Sequence, residues 1–428
     1  MKFTLPDGTF PRLHLSDDET LSILETGERI KAETIQAFEE FIQQGREFPK
    51  ERYKIVKVKD RLRAFRSRRS ADSNQTSKPS LSRLQSNSSI TGTSSRLKAS
   101  PVWNTSDATL SDLAMDDGLG RDTSESSSTD HSELGSKRPG SKAPTVIVTG
   151  ILPGTIEDTA YGNIADNEPL WKLRNAYIKD EQDDSRILAK IIGPSKEDPF
   201  QFVGIKWIAK RFSFFSSPSD VLYAEDCGVV RDRKGNITLG YHVTHSVEFG
   251  ARVPQLTDLG VTRLRMSMCF ITRKHESEGN IEIFCRAFPQ PGGGLFGQAA
   301  TAIYAQVLLY SCDIMECSSV KKLMWLSQRK RIERNKNKAN TKAANTHCHI
   351  CTKSLKGLGG LLRSPSTCQC CRRMMCGKCS VEKKLAADAI TSKEITLESA
   401  PFCIECVVEA NQMSAHEAAY ESAPGTAK

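Results

Sequence analysis

Eight cysteines near the C-terminal end of this 428-residue chain form four Cys-x-x-Cys steps. Two thiolates separated by two residues can bind one Zn²⁺ ion, which prefers four tetrahedral ligands in structural sites. Four such steps therefore predict two structural zinc sites and a small region whose shape depends on metal. The pairs are Cys348/Cys351, Cys368/Cys371, Cys376/Cys379 and Cys403/Cys406.

The first residues, MKFTLPDGTFPRLHL, lack the apolar core of a secretory signal, and no apolar stretch is long enough to span a bilayer. We therefore expect a cytoplasmic location, where clustered cysteines bind metal rather than form disulfides. The remaining cysteines outside the cluster are expected to be small buried apolar residues. These are Cys227, Cys269, Cys285, Cys312 and Cys317.

The spacing of the ligands bears on how they share two ions. Successive ligands are separated by 2, 16, 2, 4, 2, 23 and 2 residues. Sequential and cross-braced pairing are both open, but the short gap between Cys371 and Cys376 favours cross-bracing. One site then takes Cys348, Cys351, Cys376 and Cys379, and the other takes Cys368, Cys371, Cys403 and Cys406. We interpret His347 and His349 as surface residues and Cys370 as an additional thiol.

The rest of the chain predicts an α+β region. A capping box at Ser16 and Glu19 begins a helix over 16–44, and residues 70–143 are rich in Ser and poor in apolar residues, which is typical of disorder. Several β-branched runs between 144 and 288 have short connections, so they predict an antiparallel sheet. A long apolar helix follows PGGGLFG and ends in a basic run. This order predicts a helix-grip fold, a curved sheet closed around a long C-terminal helix.

The strings EDPFQFVGIKW (197–207) and GYHVTHSV (240–247), together with this element order, resemble a START-like lipid-binding domain. The resemblance covers 1–69 and 144–330, with 70–143 as an insertion. It implies a hydrophobic lipid ligand held between the sheet and the long helix. Whether a cavity is open there does not follow from the apolar pattern, since pocket and core residues look alike.

Residues 343–410 resemble a FYVE-type zinc finger through the string CQCCRRMMCGKCS. The resemblance implies two structural Zn²⁺ ions, cross-bracing, and peripheral attachment to phosphoinositide-containing endosomal membranes. The basic and aromatic motifs that read phosphatidylinositol 3-phosphate in that family are missing, so the finger is only FYVE-related. Leu361, Leu362 and Arg363 are candidate membrane contacts, because apolar tips with basic flanks suit an interface. The alternative is that these leucines pack within the protein.

Two further segments complete the predicted organisation. Residues 331–342 form a basic linker and residues 411–428 a disordered tail. The linker is either a solvated charged segment or a contact for anionic lipid. The formal charge of +9 suits an acidic partner, but the linker has no interleaved aromatic residues, so nucleic acid is an unlikely one.

No catalytic motif stands out, so we expect no enzyme activity. His242 and His245 lie on opposite faces of one strand, and adjacent acids such as Glu225/Asp226 are interpreted as surface pairs. The predicted function is a non-enzymatic zinc-binding adaptor with a lipid-binding domain and a finger for membrane or protein attachment. The alternatives are a RING-like ubiquitin ligase, which normally needs a histidine ligand, and a protein-interaction scaffold without lipid.

Overall fold

The computed structural model describes residues 2–6, 8–68, 145–211, 217–290, 297–336, 346–355, 365–387 and 396–423. The Ser-rich insertion predicted at 70–143 lies outside the described residues. The candidate membrane contacts Leu361, Leu362 and Arg363 also lie outside them.

Two groups of elements follow one another along the chain. The first group is α1 (Asp17–Gln43), β1 (Tyr53–Lys59), β2 (Leu62–Ser67), β3 (Val146–Pro153), α2 (Ile156–Asn163), α3 (Glu168–Ile178), β4 (Asp184–Ile192), β5 (Phe202–Lys210), β6 (Ser219–Arg231), β7 (Ile237–Ser246), β8 (Thr262–Lys274), β9 (Asn280–Gln290) and α4 (Gly297–Ser311). The second group is α5 (Ile314–Lys336), β10 (Ser366–Thr367), β11 (Met374–Met375), β12 (Ser380–Ala387), β13 (Thr396–Cys403), α6 (Ile404–Gln412) and α7 (Ala415–Ser422).

The first nine strands form one sheet in the order β1-β2-β3-β9-β8-β7-β6-β5-β4. Neighbours in this order pair antiparallel, as the short connections predicted. A short parallel pairing joins the start of β6 to the start of β8. The predicted large antiparallel sheet with packed helices is therefore present, and we call β1–β9 with α1–α4 the body.

Helices cover both faces of this sheet. Successive strand residues point to opposite faces, so a continuous apolar run presents apolar side chains to both. On one face, Phe38 and Phe41 of α1 pack against Phe284 of β9. On the other face, Leu308 of α4 packs in a cluster with Val148 and with other residues of β2, β3, β8 and β9. The sheet is thus buried on two sides, which explains its long apolar runs.

The single long C-terminal helix predicted from the sequence is wrong: the chain breaks between α4 and α5. The backbone carbonyl of Asp313 accepts from the N–H groups of Glu316 and Cys317 at the start of α5. Helix α4 stays on the sheet, whereas α5 leaves it to contact α2, α3, α6 and α7. Residues 331–336 of the predicted linker are part of α5, and 337–342 lie outside the described residues.

The predicted disordered tail at 411–428 is also wrong over its described part. Helix α7 begins at an N-cap, where Ser414 Oγ accepts from Glu417 N–H. Its buried residues Ala415, Ala418 and Ala419 pack in a cluster with Phe200 and Trp325. Small alanine side chains allow this close approach to the body and to α5, although they carried no strong signal in the sequence.

The five cysteines of the body and its junction with α5 are buried, as predicted. In the part of the chain that the structure describes, no helix combines the length and apolar content needed to cross a membrane.

Candidate functional site

A cavity of about 590 Å³ lies between the sheet, α3 and α4. Strands β5–β9 form its floor and α4 forms one wall. Most of the lining is apolar, including Ile208, Met266, Met268, Phe270, Ile283 and Val307. A largely apolar concave site of this size fits a small hydrophobic ligand.

Helix α3 forms the other wall, and it is the element that the sequence analysis missed. Its N-cap Asn167 accepts from Leu170 N–H, and a proline stands in the first turn; this pattern is a helix-start signal that could have been found. Helical spacing points Trp171, Arg174 and Ile178 into the cavity. The same spacing turns Leu173 and Tyr177 the other way, toward α5 and strands β12 and β13.

A buried ionic cluster lies at one side of the cavity, centred on Glu225, which is 0% exposed. Arg174 forms a two-contact ion pair with the Glu225 carboxylate. Lys206 Nζ lies 2.7 Å from Glu225 Oε2, and His242 Nε2 lies 3.1 Å from Glu225 Oε1. The interpretation of Glu225/Asp226 as a surface pair is therefore wrong, since both residues are buried.

The ionisation of this cluster follows from burial and the neighbouring charges. Burial opposes the charge of Glu225, but Arg174 and Lys206 outweigh it and hold the pKa of Glu225 well below its usual range. Burial lowers the pKa of Lys206 to about 8, against the attraction of Glu225. Burial also lowers the pKa of His242, with Glu225 acting in the opposite direction. Glu225 is therefore an ionised acceptor, and His242 is neutral at neutral pH.

His245 lies on the opposite face of β7, as predicted, beside Asp226 and beneath α1. Burial raises the pKa of Asp226 to about 6 and lowers the pKa of His245 to about 4. Neither residue belongs to the cavity.

The rim of the cavity is basic. Among the described residues that line it, those exposed to solvent are Lys57, Lys179, Arg211 and Ala302. The Nζ atoms of Lys59 and Lys179 each lie 4.7 Å from the centroid of the Tyr310 ring. Two acids are already paired there, Asp180 with Lys210 and Asp313 with Lys59. The rim therefore has an excess of positive charge.

The second site is the cysteine region, which we define as residues 346–355, 365–387 and 396–412. Two groups of four Sγ atoms lie there, with the atoms in each group within 4.8 Å of one another. One group is Cys348, Cys351, Cys376 and Cys379, and the other is Cys368, Cys371, Cys403 and Cys406. The structure thus brings the ligands together in the cross-braced sets, not the sequential ones.

The distances between sulfurs fit a metal ion. Tetrahedral Zn²⁺ with bonds of about 2.3 Å separates its sulfurs by about 3.8 Å. Cys351 Sγ lies 3.7 Å from Cys376 Sγ, and Cys371 Sγ lies 3.8 Å from Cys403 Sγ. The donor set of four thiols and this spacing both suit zinc. Cys370 is fully buried but belongs to neither group.

Two of the four Cys-x-x-Cys steps have the same type of backbone turn. Thr352 N–H donates to Cys348 O and Arg372 N–H donates to Cys368 O, both at 2.9 Å. Thr352 and Arg372 then adopt positive φ angles of 56° and 62°. Glycine would suit this conformation better, so each turn holds a strained residue directly after its second ligand.

Polar contacts surround the second group of sulfurs. Cys403 N–H donates to Cys368 Sγ at 3.3 Å, and Lys330 Nζ of α5 lies 3.5 Å from Cys406 Sγ. His349 Nε2 lies 3.9 Å from Cys371 Sγ, so this histidine is next to a ligand group and is not simply on the surface. The backbone N–H of Cys403 and the ammonium of Lys330 are donors of the kind that stabilise thiolate charge at a metal site.

The cysteine region packs directly on the body through α5. Leu323 and Leu326 of α5 are buried among the cysteines and Phe402, and Arg334 donates to Cys370 O at 2.9 Å. Tyr177 of α3 donates to Lys384 O of β12, and Lys383 pairs with Glu316 at 2.9 Å. The region is therefore joined to the wall of the cavity.

Comparison with known proteins adds little. No protein-family model matches the sequence, and no curated protein matches it. The structural neighbours are START or StAR-related lipid transfer domains. Human StAR-related lipid transfer protein 5 shows 11% identity and a TM-score of 0.35, covering 67% of this chain and 95% of its own.

Two other neighbours give similar values. Human STARD10 shows 8% identity and a TM-score of 0.33, covering 77% of this chain and 86% of its own. A STAR-related lipid transfer protein fragment from Xanthomonas axonopodis shows 8% identity and a TM-score of 0.32, covering 61% of this chain and 96% of its own. TM-scores this low and identities of 8–11% indicate only a distant likeness.

Proposed function

We propose that this protein is a non-enzymatic lipid-binding adaptor, with a START-like body that holds one hydrophobic molecule and a FYVE-related region built on two structural Zn²⁺ ions. The observation that carries the proposal is the apolar cavity enclosed by the sheet, α3 and α4. A core packed to the usual density would leave no space of this size. The cavity is therefore interpreted as a binding site.

Zinc is assigned to the two groups of cysteines by their chemistry. Four thiolates fill all tetrahedral positions, so no position remains for a substrate or an activated water. The metal would hold the short strands and α6 together, because the cysteine region has few large apolar residues of its own. This role is structural and supports an adaptor rather than an enzyme.

The basic rim supports contact with an anionic membrane while a hydrophobic ligand enters or leaves. Each basic residue near such a surface contributes about 1 kcal/mol, so Lys57, Lys179 and Arg211 suit reversible attachment. The carboxylate of Glu181, exposed in the loop after α3, offsets part of the positive charge of the rim. Peripheral attachment to endosomal membranes from the cytoplasm is part of the proposal; recognition of phosphatidylinositol 3-phosphate is not.

Native mass spectrometry of the full chain, purified from cells without chelator, tests the proposal. We expect a mass excess of two zinc ions and one co-purified hydrophobic molecule, which organic extraction removes. A protein that carries neither extra mass nor any affinity for long-chain probes would contradict the lipid-binding function. A zinc content near zero or one per chain would contradict the paired metal sites.

Vesicle co-sedimentation tests the membrane contact. K57E/K179E/R211E should lose binding to vesicles that contain phosphatidylserine, whereas R233E/K234E/K274E, with the same charge change away from the cavity, should retain it. Equal binding by the two variants would contradict the role of the rim.

The ubiquitin-ligase alternative is less well supported, since both groups contain only cysteine. Autoubiquitination by the full chain would favour it. A scaffold without lipid would be favoured if zinc is present but the cavity takes no probe.

A further inference from the structure

The cavity exposes one polar ring at the ionic cluster, that of His242. Its side chain is 13% exposed, whereas its partner Glu225 is 0% exposed behind it. Arg174 also lines the cavity, but it is 5% exposed and turns Nη1 and Nη2 to Glu225 and to the carbonyl of Asn163. The imidazole is therefore the most exposed polar group of the cluster, and a polar group of a ligand that reaches the cluster meets it first.

The partner of His242 decides which ring nitrogen carries the proton. An ionised carboxylate only accepts hydrogen bonds, and Glu225 already accepts from Arg174 and Lys206. The contact of 3.1 Å between His242 Nε2 and Glu225 Oε1 therefore requires a proton on Nε2. In a neutral imidazole the other nitrogen, Nδ1, is then a bare acceptor.

Burial keeps the ring neutral. It lowers the pKa of His242 against the opposing effect of Glu225, and the cations Arg174 and Lys206 add smaller effects in the same direction as burial. Phe270 stacks near the ring, with centroids 6.4 Å apart, and offers no hydrogen bond. No contact of Nδ1 with another group is seen among the described residues, and this atom is not enclosed by protein.

We propose that the cavity selects hydrophobic ligands that carry a hydrogen-bond donor, such as a hydroxyl or an amide N–H, and that His242 Nδ1 accepts this donor. The inference rests on the proposed lipid-binding function. A ligand whose only polar group is an acceptor, such as an ether or an ester, would form no hydrogen bond with His242 at this point of the cavity. Glu225 acts as a positioning residue, since it fixes the tautomer without touching the ligand.

A matched pair of probes tests the selection in the full chain. Hexadecanol and its methyl ether have nearly the same apolar chain, but only the alcohol has a donor. We expect the parent protein to bind the alcohol roughly fivefold to tenfold more tightly, the effect of one neutral hydrogen bond. In His242→Phe the two probes should bind equally, because the acceptor is lost while the ring still fills the site.

Met266→Leu is the matched control, since Met266 lines the same cavity without a hydrogen bond to the ligand. It should change the binding of both probes alike and keep the preference for the alcohol. A parent protein that binds the two probes equally, or prefers the ether, would overturn the inference while leaving the lipid-binding function intact. If neither probe nor any other long-chain molecule binds, the proposed function fails and the inference fails with it.

The tautomer can be read without any ligand. In ¹⁵N spectra of the full chain at neutral pH, His242 should show a protonated Nε2 and an unprotonated Nδ1. A proton on Nδ1 would contradict the inference even if the alcohol binds better. The same spectrum of His242→Phe assigns the signal and shows that the variant is folded.

Discussion

The body and the cysteine region use the same residue type for opposite purposes. In the body, Cys269 and Cys285 are single buried thiols among apolar neighbours, and burial raises the pKa of Cys269 to about 12. In the cysteine region, sulfurs gather in fours and receive N–H groups. A thiol buried alone is therefore expected to be inert, whereas four grouped thiols could together hold a metal ion. The grouping could be predicted from the Cys-x-x-Cys spacing, because a metal ion needs several donors at once.

The two regions also differ in how they stay folded, yet they share α5. The body buries long apolar strands under α1 and α4, whereas the cysteine region has a core made largely of sulfur ligands, Met375 and Phe402. The sequence predicted two independent units joined by a linker. Leu326 and Tyr177 pack across the junction, so we expect a substitution that destabilises one region to lower the stability of the other.

The largest expected effect comes from removing one ligand. Cys376→Ser should lower zinc content from two ions toward one and unfold the cysteine region, because on the order of 10 kcal/mol of metal-binding free energy supports such a fold. A linker at 331–342, as predicted from the sequence, would have left the body unaffected. The contacts of α5 and α3 now predict that the melting temperature of the body falls too.

Cys370→Ser is the matched control for this experiment, since Cys370 is buried in the same region but belongs to neither group. It should keep two zinc ions per chain. Metal analysis with differential scanning calorimetry reads both variants. An unchanged body transition in Cys376→Ser would show that the two regions are independent after all.

A somewhat smaller effect is expected inside the body. Glu225→Gln leaves Arg174 and Lys206 buried without their carboxylate and should cost about 3–5 kcal/mol of unfolding free energy. Because the folded pKa of Glu225 is depressed, its contribution is present above the unfolded pKa of about 4.3 and is lost as pH falls through the folded value. The difference between variant and parent should therefore shrink in acid.

Urea unfolding at neutral and acidic pH measures this difference. Glu276→Gln, at a side chain 84% exposed, should change stability little at either pH. A loss in Glu225→Gln that is the same at both pH values would contradict the ionised state of this carboxylate.

The junction itself is tested by Leu326→Ala, which removes a side chain 4% exposed between α5 and the cysteines. A cavity of this kind should cost about 2–4 kcal/mol and should broaden or split the thermal transition as the regions uncouple. Met324→Ala on the same helix, 40% exposed, should have little effect. A loss confined to the cysteine region would argue for two separate units.

The smallest effect is a gain. Thr352→Gly should relieve the positive φ of 56° and stabilise the cysteine region by about 1 kcal/mol. Thr367→Gly, in the extended strand β10 nearby, should instead cost about 0.5–1 kcal/mol. Competition with a zinc chelator compares the two variants, and weaker zinc retention by Thr352→Gly would contradict the strain.

Some of the fold could be predicted because its signals are local. The capping box at Ser16 appears as expected, and alternation placed His242 and His245 on opposite faces of β7. Helix α3 was not predicted because its apolar residues do not repeat with a strong helical period. The break at Asp313 was not predicted because no glycine or proline marks it. Glu225 was wrongly predicted to lie on the surface. Nothing in the sequence around Glu225 indicates that Arg174 and Lys206 neutralise its charge.

The sequence by itself determined the number and spacing of the paired thiols and the strand pattern of the sheet, because thiol spacing and side-chain alternation act over a few residues. Only the tertiary structure decided that α3 stands between a cavity and the cysteine region, and that Glu225 lies against His242 at the cavity. Those relations join residues far apart in the chain. They depend on which faces of the helices and strands remain free to pack against each other once these elements have formed.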